Sequence, residues 1–120
     1  MSGTASAGKA GEGIAEAYLC ERGATLLERN YRAAGGEVDL IVEMGGAIVF
    51  VEVKRRTSGR YGTGAEAVNL PKQRRISQAA LAYLKQHKRM DSRCRFDVIE
   101  IMGNEIRHIP SAFLFAGRGG

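Results

Sequence analysis

The apolar positions of this chain switch between two periods, and the switches mark its elements. From Gly8 to Arg22, residues Gly11, Ile14, Ala15, Tyr18 and Leu19 recur at helical spacing, and Gly23 sits where a C-terminal cap belongs. A strand follows over Thr25–Tyr31, then two more over Glu37–Met44 and Ala47–Arg55, parted by Gly45-Gly46. A glycine pair between apolar runs signals a hairpin, because two-residue loops require positive φ. Residues 56–66 (RTSGRYGTGAE) are polar and glycine-rich and read as a mobile loop. A second helix starts near Asn69 and Pro71 and runs to about His87, its stripe formed by Ile76, Ala79, Ala80, Tyr83 and Leu84. Arg95–Ile101 is a strand, Gly103-Asn104 a turn and Glu105–Ile109 the last strand, with Pro110 expected to close the sheet. The order αβββαββ predicts an α/β fold, a central mixed sheet flanked by helices.

A chain of 120 residues suits one domain, placed here at 8–115 between short tails at 1–7 and 116–120 that read as disordered. No run approaches the roughly 18 apolar residues of a membrane span, and no signal peptide opens the chain. Cys20 and Cys94 lie in no metal-binding spacing and read as reduced core thiols, which points to the cytoplasm.

Charge sharpens the picture. Residues 1–53 hold 4 Lys/Arg against 8 Asp/Glu, whereas residues 54–95 hold 12 Lys/Arg against only Glu66 and Asp91. A basic block beside an acidic one is what a polyanion-binding protein with a separate use for its acids would show; a solvated basic face is the alternative.

The position of the acids favours chemistry. A two-residue turn at Gly45-Gly46 pairs Met44 with Ala47, which sets Asp39 opposite Glu52 and Glu37 opposite Lys54. Because strand side chains alternate, all four converge on one patch. Opposed carboxylates, with Cβ atoms ~4.5–5.5 Å apart, are destabilising. Here they stand among Val38, Leu40, Ile41, Val42, Val49, Phe50, Val51 and Val53. Buried acids need a partner, and Mg²⁺ or Mn²⁺ is a suitable one, since Mg²⁺ takes one or two carboxylates and keeps several waters. Asp39 and Glu52 are the expected metal ligands, and Lys54 would orient or deprotonate the attacking water. The competing reading is a surface salt-bridge network of Glu37, Glu52 and Lys54.

Glu12 flanks the buried stripe of the first helix and could add a further metal or water contact, or simply be a favourable acid in a first turn. Lys72 and Gln73 extend the buried stripe of Ile76 and Ala80 toward the start of the second helix, so they either belong to the site or overhang the core. Glu37 and Gln73 are expected as supporting partners behind the ligands. Arg55, Arg56, Arg60, Lys72, Arg74 and Arg75 flank the patch and could grip phosphates without reading sequence. Tyr61 could stack on a base. His87 and His108 are given no chemistry.

The segments Gly36-Glu37-Val38-Asp39-Leu40-Ile41 and Val49-Phe50-Val51-Glu52-Val53-Lys54-Arg55-Arg56 resemble the D…ExK signature of the PD-(D/E)xK nuclease superfamily, with Val38 at the variable proline position. From about Gly8 to Phe115 the chain resembles the YraN-like family of uncharacterised bacterial proteins. GEGIAEAYL with Glu12, Arg29–Arg32, Lys72, Arg75 and RFDVIEI at Arg95–Ile101 carry that likeness. The family is similar to archaeal Holliday-junction resolvases, whose glutamate, aspartate and ExK metal site would map onto Glu12, Asp39, Glu52 and Lys54.

The resemblance implies a restriction-endonuclease-like fold. The leading expectation is a metal-dependent endonuclease acting on DNA in preference to RNA, at branched or damaged structures. Cutting both strands would suit a homodimer. The alternatives are a non-catalytic nucleic-acid-binding module on a nuclease scaffold and a protein-interaction domain.

Overall fold

The computed structural model describes residues 7–56 and 68–116. Among these, helix α1 (Ala7–Glu21) precedes strands β1 (Thr25–Ala33), β2 (Gly36–Met44) and β3 (Ala47–Arg55). Helix α2 (Leu70–Gln86) and strands β4 (Cys94–Met102) and β5 (Glu105–Phe113) follow. The sheet order is β1-β2-β3-β4-β5, with every neighbouring pair antiparallel except β3 and β4. The expected αβββαββ order and mixed sheet are therefore present, with one parallel step where α2 crosses over. The polar loop expected at 56–66, with Arg60 and Tyr61, lies outside the described residues apart from Arg56.

The two helices cover opposite faces. Ala15 and Leu19 of α1 pack on Leu40, Val42, Val49, Val51, Ile99 and Ile101. Ile76, Ala80, Tyr83 and Leu84 of α2 pack on Ile41, Ile48, Phe50, Phe96 and Val98. With helices on both sides, the central strands are buried on both faces, and their apolar runs are continuous rather than alternating. No helix among the described residues is long and apolar enough to cross a membrane.

Three expectations change. Ile14 is 40% exposed, so the buried line of α1 is Gly11, Ala15 and Leu19, at strict i, i+4 spacing. Cys20 is exposed rather than part of the core, and Cys94 is half-buried. Strand β5 also runs on through Pro110 to Phe113. It is an edge strand, where a residue without an N–H is tolerated. The β4–β5 register shifts between Phe96 and Val98, where Ser111 adopts φ 51°.

Two glycine sites position the elements around the β2–β3 hairpin. Gly45 and Gly46 have φ values of 61° and 81°, the pair of positive angles that a two-residue hairpin loop requires. At Gly36 a Cβ would collide with the backbone carbonyl of Arg75, so the backbone of α2 rests directly on the start of β2. Gly36→Ala must lift α2 off the sheet. The expected cost is about 3 kcal/mol, at the upper end for overpacking, read as a lower midpoint in urea denaturation; a midpoint matching the parent's would mean that α2 does not seat this way.

Candidate functional site

The hairpin ladder runs in the expected register from Met44↔Ala47 to Leu40↔Val51 and stops there. One residue on, Asp39 does not stand as a plain cross-strand neighbour of Glu52. Its Oδ2 accepts the backbone N–H of Val53 at 2.8 Å, taking the place of a main-chain carbonyl. The cause is an inversion of side-chain alternation. Leu40 packs on the α1 side and Val38 on the α2 side, although residues two apart on a regular strand share a face. The neighbouring strand inverts at the same level. Arg29 reaches Glu16 of α1, Tyr31 donates to Gln86 Oε1 of α2, and Asn30 between them has φ 49°. Asp39 stands at this inversion, so its carboxylate lies between the strands.

Glu52 is 3% exposed, and its carboxyl group lies within hydrogen-bonding reach of Asp39. Its cationic partner comes from α2: Lys72 Nζ is 2.7 Å from Glu52 Oε2. Asn69 caps α2, accepting the Lys72 backbone N–H at 2.9 Å on Oδ1, and Pro71 sits in the first turn. The contact of Gly36 with Arg75, one turn beyond Lys72, sets the depth of α2 that brings this lysine over Glu52.

Burial, followed by the charge of Asp39, pushes the Glu52 carboxyl up to about 7 against the opposing pull of Lys72. Lys72 is itself raised: burial opposes its charge, but Glu52 and Asp39 outweigh both that and the nearby Arg75.

This shift has a sign. A carboxyl whose pKa is higher in the folded chain favours folding while protonated, so its contribution is lost as pH rises from about 4.5 to about 7. In metal-free protein, stability should fall by roughly 2–3 kcal/mol between pH 5 and 8 relative to Glu52→Gln, at about 1.4 kcal/mol per unit. Urea denaturation at both pH values measures it; parallel profiles would mean that Glu52 is not buried against Asp39.

The remaining predicted residues divide. Lys54 is half-buried, two residues beyond Glu52 on the α2 side, and faces Glu100 of β4 in the parallel register. Glu37 instead pairs with Arg32 across β1 at 3.6 Å. Gln73 donates to the carbonyl of Val68 at 2.8 Å, which supports the start of α2 rather than a carboxylate. Glu12 is half-buried on α1, beside Gly11, which rests against the side chains of Val53 and Arg55. No group of three or more His, Cys, Asp or Glu gathers as a metal site among the described residues, so Glu12 is not collected with Asp39 and Glu52. Arg55, Arg74 and Arg75 are exposed. Arg56 is committed to the fully buried Glu100, at 2.9 Å.

Two further acids, Asp97 and Glu100, are fully buried in β4 and have no assigned role in the sequence reading. Glu100 holds Arg56 and, at 3.6 Å, Arg107. Asp97, also fully buried, accepts from Arg95 at 2.9 and 3.2 Å and from the Ser111 N–H at 3.0 Å, with His108 Nε2 at 2.7 Å. His108 Nδ1 lies 3.4 Å from the Tyr18 hydroxyl of α1. The signal that marks Asp39 and Glu52, an acid inside an apolar strand, marks Asp97 and Glu100 too.

A family model described as "Uncharacterised protein family UPF0102" matches residues 11–101, a span that includes Glu12, Asp39, Glu52, Lys54 and Lys72. A "UPF0102 protein" from Geobacter metallireducens is 48% identical over 115 residues, covering 92% of this chain and 94% of the relative. One from Rhodococcus opacus is 46% identical over 118 residues, covering 94% of this chain and 100% of the relative. One from Syntrophus aciditrophicus is 49% identical over 114 residues, covering 91% and 89%.

Proposed function

The chain belongs to the uncharacterised protein family UPF0102, the YraN-like family, and from its site we propose a metal-dependent endonuclease that hydrolyses DNA phosphodiesters. The observation that carries this reading is the Asp39–Glu52 pair: two carboxyl groups within hydrogen-bonding reach of each other, Glu52 almost wholly buried, with the Lys72 ammonium on Glu52. With both ionised, that trio keeps a net negative charge. A divalent cation fits it, because Mg²⁺ needs only one or two carboxylates and fills its other positions with water and substrate oxygens. Asp39 and Glu52 would hold Mg²⁺ or Mn²⁺, which when bound would stabilise the charge that builds on the phosphoryl oxygens.

The chain's own groups supply the rest. The Val53 N–H fixes the Asp39 carboxylate in place, which reduces the reorganisation needed at the site. Lys54 would orient the attacking water and take its proton, or steady the transition-state charge. Glu12, on the other face, would act through a water rather than as a direct ligand. Exposed Arg55, Arg74 and Arg75 would hold phosphates in register. Kinship with the PD-(D/E)xK nucleases and with archaeal resolvases is part of the same proposal, and cutting both strands would call for two copies of the chain.

The Lys72–Glu52 pair favours one other reading, a non-catalytic nucleic-acid-binding module in which the lysine alone neutralises Glu52. Purified protein incubated with single-stranded, duplex and four-way DNA, with Mn²⁺ or with a chelator, separates the two. Cleavage that requires Mn²⁺ supports the endonuclease. Salt-sensitive binding that persists in Glu52→Ala, with no substrate cut, overturns it in favour of the module.

A further inference from the structure

The divalent site as built already holds a cation. Lys72 Nζ sits 2.7 Å from Glu52 Oε2, while the Glu52 side chain is only 4% exposed and that of Lys72 is 41% exposed. An ion that reaches Glu52 must therefore compete with an ammonium already on the carboxylate. We propose that Lys72 is an internal competitor for the divalent cation: metal entry requires the ammonium to leave Glu52, which frees it for a substrate phosphate. This inference rests on the metal-site reading above.

The geometry allows the side chain to move while the helix stays. The backbone of Lys72 is fixed by the Asn69 cap, and α2 is seated by the backbone contact at Gly36. The Lys72 side chain is part-exposed on a four-carbon stem with several rotatable bonds, so a swing into water breaks its ion pair with Glu52 while the helix backbone stays in place. Charge balance gives the direction. Asp39, Glu52 and a divalent ion cancel, which leaves the Lys72 charge unmatched. A phosphodiester, with one negative charge, would match it. Lys72 thus holds Glu52 in the metal-free protein and becomes a phosphate contact once the metal is bound.

The test is calorimetric titration of Mn²⁺ into DNA-free parent protein, Lys72→Met, which keeps the apolar stem, and Lys72→Arg, which keeps the charge. Thermal melting is followed in parallel. Lys72→Met is expected to bind Mn²⁺ about tenfold tighter or more, to melt lower than the parent without metal, and to gain more on adding Mn²⁺. Lys72→Arg should bind no tighter than the parent. Equal or weaker Mn²⁺ binding by folded Lys72→Met, with the parent binding normally, overturns the competition and leaves the metal site standing. If Lys72→Met does not fold, Lys72→Arg binding tenfold tighter than the parent overturns it instead. Absence of Mn²⁺ binding in every variant overturns this inference together with the metal-site reading.

Discussion

Lys54→Ala is expected to reduce metal-dependent DNA cleavage by about 10²–10⁴-fold, the usual contribution of a positioned proton-transfer group. Lys54 is the half-buried cation of the β3 end, on the same side as Glu52 and one strand position past the Val53 N–H that fixes Asp39. It shares the α2 side of β3 with Glu52 but is not part of the ion pair that Lys72 forms with that residue. The substitution trims one partly exposed side chain near a strand end, so melting should shift by no more than about 1 kcal/mol equivalent. Initial rates with Mn²⁺ and a melting curve on the same preparation give both values. A variant that folds normally and cuts within threefold of the parent would remove Lys54 from the reaction.

The second large effect lies away from the site. Asp97→Ala should destabilise the fold by about 3–5 kcal/mol, the range found when one partner of a buried ion pair is deleted. That corresponds to a fall of roughly 10–20 °C in Tm for a domain of this size. Asp97 is fully buried and collects Arg95, His108 and the Ser111 N–H, while His108 reaches Tyr18. One carboxylate thereby ties α1 and β4 to the irregular half of β5. Burial alone would raise the pKa of this group, but hydrogen bonds from His108, Arg95 and Ser111 prevail and hold it below the ordinary aspartate value. The sign is therefore opposite to that of Glu52. Its contribution is complete above an aspartate's ordinary pKa of about 3.9 and is lost as pH falls through the lower folded-state value. Chemical denaturation at pH 7 and below pH 4 should show a large gap between parent and variant that narrows in acid; a gap under about 1 kcal/mol at pH 7 would mean that the network is decorative.

Much of this was legible in the sequence, and the reasons are specific. Gly45-Gly46 set the hairpin register because only a short list of two-residue loops joins antiparallel strands. Ile76, Ala79, Ala80, Tyr83 and Leu84 set the buried face of α2 because their spacing leaves one solution. The inversion at Asp39 is not legible, because it goes together with a positive φ at Asn30, level with it on another strand. Register alone therefore brings Asp39 and Glu52 together but with the wrong approach between them. Lys72 as the partner of Glu52 was equally hidden, since it depends on how deeply α2 sits, which the Gly36–Arg75 backbone contact decides. Pro110 reads as a strand stop in the sequence, whereas β5 is an edge strand with an outward side on which a missing N–H costs nothing.

The Asp39–Glu52 pair as a divalent-cation site is tested most directly by anomalous diffraction from crystals of the protein soaked in Mn²⁺. The expected result is a single strong peak at inner-sphere distance, about 2.0–2.3 Å, from carboxylate oxygens of both Asp39 and Glu52. No peak between them at saturating Mn²⁺, with Lys72 still on Glu52, would contradict it.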